Sequence, residues 1–455
     1  MSETGFETAF NGRIGDMLDA CTACGACFTA CPITEAAGVG DADPEMITSG
    51  ILDIIRQGSG PEASRKWASS CILSGECIKA CEYGVNPRFL LAVARVSLAK
   101  AAKEPAEQRR AGVESFHKTS QEVKFLSRLQ LTDKALERLG QAPSIYHPAH
   151  DENTETPDVV FYTGCNVLRT PHIALLCLDI TDMIGVTYRI MGGPSHCCGI
   201  LQFRTGDLEV SSRIADNTLN KFAETKSGQV LAWCPSCFVQ FTENMLPTFE
   251  RATGKRPFDM TPFIHFLRDN LERLRPFLRT RVEMRVALHR HPGVAGVVEA
   301  AEEILRAVPG IELVDLRQPA VGLQSFNLAV LPTYKRDLQL RELEAAREAG
   351  VDALAAVYHS DHRELCAHER DWPFRILNIL EILGESMGFR EEDRYKNLKM
   401  MQDVDAIISD CHDLIAQHRL DPAKARSVVI RGMIADQPLP LVGAMPALTT
   451  APPRV

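Results

Sequence analysis

Residues 21–32 read Cys21-Thr-Ala-Cys24-Gly-Ala-Cys27-Phe-Thr-Ala-Cys31-Pro32. In this C-x₂-C-x₂-C-x₃-C-P spacing, the first three thiolates ligate one [4Fe–4S] cluster and the fourth ligates a neighbouring cluster. A structural zinc site uses four ligands, usually as two separated C-x₂-C pairs, and does not need this spacing. The stretch, here called the first motif, therefore predicts an iron–sulfur domain. Pro32 is expected to open a helix, because its missing N–H needs no partner there.

A second motif, Cys71-Ile-Leu-Ser74-Gly-Glu-Cys77-Ile-Lys-Ala-Cys81, repeats the spacing with Ser74 in place of the second cysteine. Because the last cysteine of each motif serves the other cluster, two ligand sets are expected: Cys21, Cys24, Cys27 and Cys81 for cluster one, and Cys31, Cys71 and Cys77, with Ser74 or no residue at the fourth iron, for cluster two. Three thiolates fit a [3Fe–4S] cluster, or a [4Fe–4S] cluster with an oxygen-ligated or labile iron. The alternative is that cluster two has been lost.

Size and composition narrow the class of protein. A chain of 455 residues has room for about three domains. Its net charge of −9, without a clustered basic face, argues against nucleic-acid binding. We see neither a signal peptide nor an apolar run long enough to span a membrane. Fifteen cysteines without an export signal indicate thiolate ligands in a reducing cytoplasm, and not disulfides.

The pattern of helix and strand signals predicts an α+β multidomain chain. An all-α, ferredoxin-like two-cluster domain is expected first. Strands then alternate with helices, which predicts two α/β domains with parallel sheets. The expected boundaries are 1–105 for the two-cluster domain, 106–156 for a helical arm and linker, 157–280 and 281–390 for the α/β domains, and 391–455 for a C-terminal helix and loose tail.

Five further cysteines lie in the first predicted α/β domain. They are Cys165, the pair Cys197-Cys198 before Gly199, and Cys234 and Cys237 of a C-P-S-C sequence, here called the CCG set. Each falls at a strand end or in the loop after it, and the carboxyl ends of neighbouring parallel strands lie side by side. Adjacent cysteines suit the edge of a multinuclear cluster better than a single tetrahedral ion. We therefore expect the five to converge on one site.

The spacing C-x₃₁-C-C-G-x₃₄-C-P-x-C resembles the cysteine-rich CCG domain of heterodisulfide reductase B subunits, also found in iron–sulfur subunits of glycolate and lactate oxidases. The two motifs, with the ACEYGVNP sequence at residues 80–87, resemble the C subunit of heterodisulfide reductase. Over about residues 15–390 the chain thus resembles a C-like part fused to a B-like part. The resemblance implies a noncubane [4Fe–4S] cluster on the CCG set, where Cys198 is the candidate catalytic residue. A zinc or structural thiol site is the alternative.

A constant offset of 125 residues finds a second copy of this scaffold that lacks the five thiolates. The offset places His359 at Cys234, His362 at Cys237, Gly322-Leu-Gln at Cys197-Cys198-Gly199, and Arg290, between His289 and His291, at Cys165. One interpretation is a degenerate copy that supports the first copy and docks partners. A second is that His289, His291, His359 and His362 converge as imidazole ligands of Zn²⁺ or another borderline metal. A third is a histidine-lined substrate or cofactor pocket.

The sequence contains no phosphate-binding glycine loop and no dinucleotide fingerprint. We therefore expect no flavin or nicotinamide bound to the chain itself, and a flavoprotein as its redox partner. A hetero-oligomer follows from this expectation. An acceptor that is membrane-associated or quinone-linked would be reached through another subunit.

Three functions are compatible with these motifs. The first is a soluble electron-transfer subunit that connects a flavoprotein to an acceptor, as in heterodisulfide-reductase-like or 2-hydroxy-acid dehydrogenase complexes. The second is a catalytic subunit that reduces a disulfide or another sulfur substrate at the CCG cluster. The third is a non-redox interaction protein stabilised by zinc. The absence of a second CCG set favours electron transfer over catalysis.

Overall fold

The computed structural model describes residues 4–140, 156–320, 322 and 327–441. Helices form the N-terminal part, two four-stranded parallel sheets follow, and more helices complete the described chain. The predicted order of a helical part and then parallel α/β regions is confirmed. Most of the predicted linker and the end of the predicted tail lie outside the described residues. Along the described part of the chain, no helix combines the length and apolar character needed to cross a membrane.

The N-terminal part contains eight described helices: α1 Thr4–Ala20, α2 Ala26–Thr29, α3 Pro44–Gln57, α4 Glu62–Ser69, α5 Glu76–Lys79, α6 Pro87–Ala102, α7 Pro105–Arg128 and α8 Asp133–Arg138. Two of these begin where the sequence places Asx-Pro pairs. The Asp43 side chain accepts the N–H of Met46 at 2.8 Å, and Asn86 accepts the N–H of Phe89 at 3.0 Å. Both are N-caps that satisfy free donors of the first turn.

The two cysteine motifs share one backbone conformation. Ala23 and Leu73 have positive φ angles of 56° and 59°, and Gly25 and Gly75 have φ angles of 78° and 84°. Each glycine caps a four-residue helix, α2 in one motif and α5 in the other. Ser74 therefore occupies in the second motif the backbone position that a cysteine occupies in the first.

The expectation for Pro32 was wrong. Turns span residues 32–38, and the short helix of the motif, α2, lies before this proline. The N–H of Cys31 bonds to the carbonyl of Phe28 at 3.0 Å, so the residue closes the end of α2. The chain leaves the motif through turns, because α2 has already ended at Thr29.

The first α/β region has strands β1 Val159–Tyr162, β2 Tyr188–Met191, β3 Gln229–Ala232 and β4 Asp259–Pro262. All are parallel, in the order β2-β1-β3-β4. Its helices are α9 Pro171–Met183, α10 Ile200–Thr205, α11 Leu208–Glu224, α12 Pro235–Val239, α13 Leu246–Thr253, α14 Phe263–Asp269 and α15 Leu271–Leu274, with a π-helical segment at Gln240–Met245. The sequence predicted β1, β2 and β3 but not β4.

The second α/β region has strands β5 Met284–His289, β6 Ile311–Val314, β7 Ala353–Ala356 and β8 Arg375–Asn378. Their order is β6-β5-β7-β8, again all parallel. The described helices of this region are α16 Val297–Ala307, α17 Pro332–Glu348, α18 His359–Leu365 and α19 Ile379–Met387. The two sheets therefore have the same order of strands along the chain and in space.

The described C-terminal residues form more structure than the single helix expected. They contain α20 Arg394–Met401, α21 Val404–Asp410, α22 His412–Gln417 and α23 Pro422–Val429, followed by a π-helical segment at Ile430–Ile434. Leu126 and Leu129, at the end of the predicted arm, share a buried core with Val428 and with Ile376 of β8. The arm and the C-terminal helices thus pack on the second sheet.

Arg88 of α6 joins the three parts of the molecule. Its guanidinium donates to the carbonyl of Leu73 at 2.9 Å and to that of Gly293 at 2.8 Å. It also pairs with Glu243, with 3.1 Å between Nε and Oε2. Leu73 lies in the second motif, Glu243 in the first α/β region and Gly293 in the second. One buried cation therefore fixes the second motif against both sheets.

Candidate iron–sulfur sites

Cysteines of both motifs line one cavity in the N-terminal part. The first motif contributes Cys21, Cys24 and Cys27, and the second contributes Cys81. Apolar side chains line much of the remainder, among them Ile51, Leu52, Leu90 and Leu91. Four thiols around an apolar cavity fit the ligand set of a cubane cluster, and the crossed origin of the fourth fits the sequence expectation.

The buried thiols of the motifs are poor acids in their present surroundings. Burial raises the pKa of Cys27 to about 11, an effect that the Thr48 hydroxyl, 3.9 Å from the sulfur, opposes. Burial also raises the pKa of Cys77. A coordinated sulfur must be a thiolate, so positive charge has to be supplied by what it binds. Bound iron would supply that charge at the motif cysteines, since burial alone disfavours their thiolate form.

The thiols expected for cluster two lie close together. The pKa of Cys77 is raised first by burial and then by the neighbouring sulfurs of Cys71, of Cys27 from the other ligand set, and of Cys31. The indole Nε1 of Trp67 donates to Sγ of Cys31 at 3.4 Å. Arg95 donates to the carbonyl of Cys71 at 3.1 Å. Three sulfurs, an indole donor and a nearby cation fit an anionic group bound at this position.

The CCG set forms at the carboxyl edge of the first sheet. Cys165 follows β1, Cys234 follows β3, and Cys197 and Cys198 end the loop after β2. The sulfurs of Cys198 and Cys237 lie 3.8 Å apart. The sheet order predicts this convergence, because β1 lies between β2 and β3. The structure thus brings together the loops on which the sequence places the five thiols.

The thiols of the CCG set differ in acidity. Hydrogen bonds from Cys197 and Cys237 lower the pKa of Cys198. Hydrogen bonding to Cys198 and Cys234 raises the pKa of Cys237. Desolvation raises the pKa of Cys165 to about 12. The thiols of the set therefore differ in how readily they ionise, and a bound iron–sulfur group would hold its ligand sulfurs as thiolates.

Two groups outside the set face its sulfurs. The Arg204 guanidinium lies near Cys198 and Cys234, and burial lowers the pKa of this arginine to about 10. The pKa of Cys234 is lowered by hydrogen bonds from Cys237 and then from His359, against the opposing effect of burial. His359 is the first residue of α18, so the second α/β region contributes a side chain to the CCG site.

The other predicted histidines have different partners. His289 Nδ1 lies 2.6 Å from Glu342, His291 Nδ1 lies 2.7 Å from Asp361, and His362 Nε2 lies 2.6 Å from Asp393. Among the described residues, the four histidines predicted as ligands do not form a group with neighbouring ligand atoms. The expected four-imidazole site is therefore absent from the described structure, because each ring turns to a carboxylate or thiol of its own.

His362 belongs instead to a group that the sequence did not indicate. His172, His362, Glu381 and Asp393 each offer one ligand atom, and these atoms all lie within 4.8 Å of one another. His172 comes from α9 of the first region, far from the other three in sequence. No local spacing links the four residues, so only the three-dimensional structure reveals them.

Phe238 lies between the CCG set and the second motif. It follows Cys237 directly, and it packs against the apolar core that contains Cys198, Cys234 and Cys237. It also packs against the core that contains Cys71 and, at its edge, Cys27 and Cys31. The two cysteine-bearing parts of the molecule therefore meet through packed side chains.

Comparison with known protein families agrees with both cysteine regions. A family model described as a 4Fe-4S dicluster domain matches residues 17–85. A second model, described as a cysteine-rich domain and named CCG, matches residues 159–242. The first match covers both motifs, and the second begins at β1 and includes all five cysteines of the CCG set.

Curated relatives are similar over most of the chain. The D subunit of dihydromethanophenazine:CoB–CoM heterodisulfide reductase from Methanosarcina mazei is 24% identical over 66% of this chain and 75% of its own. The protein of the same name from Methanosarcina barkeri is 22% identical over 82% of this chain and 94% of its own. The B subunit of fumarate reductase (CoM/CoB) from Methanothermobacter marburgensis is 22% identical over 80% of this chain and 72% of its own. The predicted resemblance to the iron–sulfur subunits of heterodisulfide reductase is thereby confirmed.

Proposed function

We propose that this chain is the iron–sulfur electron-transfer subunit of a heterodisulfide-reductase-like oxidoreductase complex, between a flavoprotein and an acceptor. The observation that carries the proposal is the contact of Phe238 with both cysteine-bearing cores. Bound clusters would supply one-electron redox steps. The relatives named above are subunits of reductases, which supports a hetero-oligomer.

The ligands proposed follow the predicted sets. They are Cys21, Cys24, Cys27 and Cys81 for cluster one, Cys31, Cys71 and Cys77 with Ser74 or no residue for cluster two, and Cys165, Cys197, Cys198, Cys234 and Cys237 for a noncubane [4Fe–4S] cluster. The shared cavity supports the first set. The matching backbone of the two motifs supports an intact but serine-substituted second site.

The second α/β region is proposed to be a degenerate copy that supports the first. Its sheet has the same strand order, and β5 begins 125 residues after β1. Gly322, which the offset aligns with Cys197, lies against the second motif: a Cβ there would be 3.0 Å from the backbone nitrogen of Ser74. The copy thus covers one cluster site and donates His359 to another.

Anaerobic purification, with iron and sulfide counts and EPR of the oxidised and reduced protein, tests the proposal. Two clusters on the motifs and one on the CCG set require roughly 11 or 12 irons per chain. About eight irons would mean that one site is empty, and the EPR line shape would identify it. Little iron with stoichiometric zinc would overturn the proposal and favour the zinc-stabilised interaction protein.

A second candidate is a reductase whose active site is the CCG cluster. Cys165 and Cys197 are partly exposed while the other three cysteines of the set are buried, which leaves one side of the site open. A disulfide bound there would take two electrons and two protons and leave as two thiols. Replacing Cys198 should then abolish turnover of a small disulfide while the motif clusters stay in place.

A further inference from the structure

We infer that His172, His362, Glu381 and Asp393 form a binding site for one zinc-class divalent cation, separate from the iron–sulfur sites. The four ligand atoms all lie within 4.8 Å of one another. The Nε2 atom of His362 lies 2.6 Å from Asp393, and His172 Nδ1 lies 3.4 Å from the same carboxylate. Two imidazoles and two carboxylates are a familiar donor set for Zn²⁺, which takes four ligands at about 2.0–2.2 Å.

Unsatisfied nitrogens point to a ligand at this position. The side chain of His172 is only 2% exposed, and neither ring nitrogen has a hydrogen-bond partner among the described residues. Leaving buried polar atoms without partners costs free energy, typically about 1–3 kcal/mol for each group. A bound cation would satisfy one of these nitrogens directly and would also separate Asp393 from His362.

The surrounding charges also leave room for a dication. Outside the group itself, Lys396 is the charged side chain that acts on His172, Glu381 and Asp393. Its ammonium bonds to Glu369 at 3.0 Å and to the carbonyl of Ile376 at 3.2 Å. One lysine therefore faces three carboxylates, those of Glu369, Glu381 and Asp393. A divalent cation would offset the carboxylate charge that this one lysine leaves unbalanced.

The location gives the proposed ion a structural role. His172 lies on α9 of the first α/β region, while His362 and Glu381 lie on α18 and α19 of the second, and Asp393 caps α20. The ion would therefore join the two regions. It would also hold α18, whose first residue, His359, reaches Cys234. This inference does not depend on the proposed function.

Metal analysis of the full, cluster-loaded chain tests the site. After dialysis against a chelator and titration with Zn²⁺, the chain should keep roughly one zinc. X-ray absorption at the zinc edge should then show only nitrogen and oxygen neighbours, because zinc trapped in an iron–sulfur site would show sulfur. No retained zinc, or zinc with sulfur neighbours, would overturn the inference. This measurement on the wild-type chain tests the zinc site even if a variant of the site fails to fold.

The matched variants are His172→Gln and His289→Gln. Both replace a buried histidine, but His289 bonds to Glu342 and lies outside the group. His172→Gln should lose the retained zinc with its iron count unchanged, and His289→Gln should keep both. Zinc retained equally by both variants would contradict the assignment of His172. If either variant lost iron but kept its zinc, the result would count against the proposed function and not against the zinc site.

Discussion

The N-terminal part and the α/β part each contain two similar units, but the units differ to different degrees. The two cysteine motifs have matching backbones and differ in one ligand position, where Ser74 replaces a thiol by a hydroxyl. The two sheets keep one strand order, yet none of the five CCG thiols recurs at the equivalent positions of the second. The comparison shows that the same backbone arrangement can carry different side chains at its ligand positions. In the second sheet these positions hold residues with other partners.

The largest effect is expected from breaking the intact CCG set. Cys198→Ala should remove about four irons per chain, because Cys198 lies at the centre of the hydrogen-bonded sulfurs of the set. Signals of the motif clusters should remain in the EPR spectrum. Cys177→Ala is the matched control, since Cys177 is an equally buried thiol in α9, away from the cysteine sites. An unchanged iron count in Cys198→Ala would refute the assignment of the third cluster.

The next effect tests the contact between Gly322 and the second motif. Gly322 has a φ angle of 49°, and a Cβ there would lie 2.5 Å from the carbonyl oxygen of Ile72. Gly322→Val should therefore lower the stability of the fold by about 2–4 kcal/mol, from steric overlap and backbone strain. The thermal midpoint should fall, with loss of iron from cluster two.

Gly185→Val is the matched control for that substitution. Gly185 also has a positive φ, 66°, but open space where the Cβ would be. Gly185→Val should lower the free energy of unfolding only by the backbone cost, about 1–2 kcal/mol. Equal midpoints for the two variants would show that the contact of Gly322 with Ile72 and Ser74 does not support the second motif.

Local chemistry made part of the fold predictable. Asp43 and Asn86, each followed by proline, located the starts of α3 and α6, because an Asx cap and a proline in the first turn act within four residues. The strands β1 and β3 were readable as apolar runs. The strand β4 was not, since Asp259-Met-Thr-Pro262 has a polar start and ends in a proline, and only pairing with β3 makes it a strand.

The candidate sites also divide into those that the sequence could predict and those that it could not. The shared cavity of the motif cysteines and the shared sheet edge of the CCG cysteines were predictable, because their spacing is short or recurs at strand ends. His172 was not, because its partners come from three elements of the other α/β region and its surroundings. The four predicted histidines share the correct strand edge, but burial beside Glu342, Asp361 and Asp393 gives three of them different partners. The position of each histidine at this strand edge could be predicted from the sequence. The group that each histidine bonds to depends on tertiary packing.

A smaller change should make the two cysteine motifs equivalent. Because Ser74 lies in the same backbone setting as Cys24, Ser74→Cys should place a fourth thiolate at cluster two and add about one iron if that cluster is of the three-iron type. The oxidised EPR signal of a three-iron cluster should disappear. Ser74→Ala, which removes the hydroxyl without adding a thiol, should keep it. No difference between these two variants would refute the proposed ligand set of cluster two.

The smallest effect concerns the contact of His359 with the CCG site. His359 lowers the pKa of the Cys234 thiol, and a side chain that favours negative charge on sulfur also favours the reduced state of a cluster bound there. His359→Leu should therefore lower the reduction potential of the CCG cluster by about 20–60 mV, the equivalent of one hydrogen bond. His359→Gln keeps a donor and should restore much of the potential. A reduction potential that is equal in wild type and in the leucine variant would mean that the second region supports the CCG site by packing alone, without an electrostatic effect on its cluster.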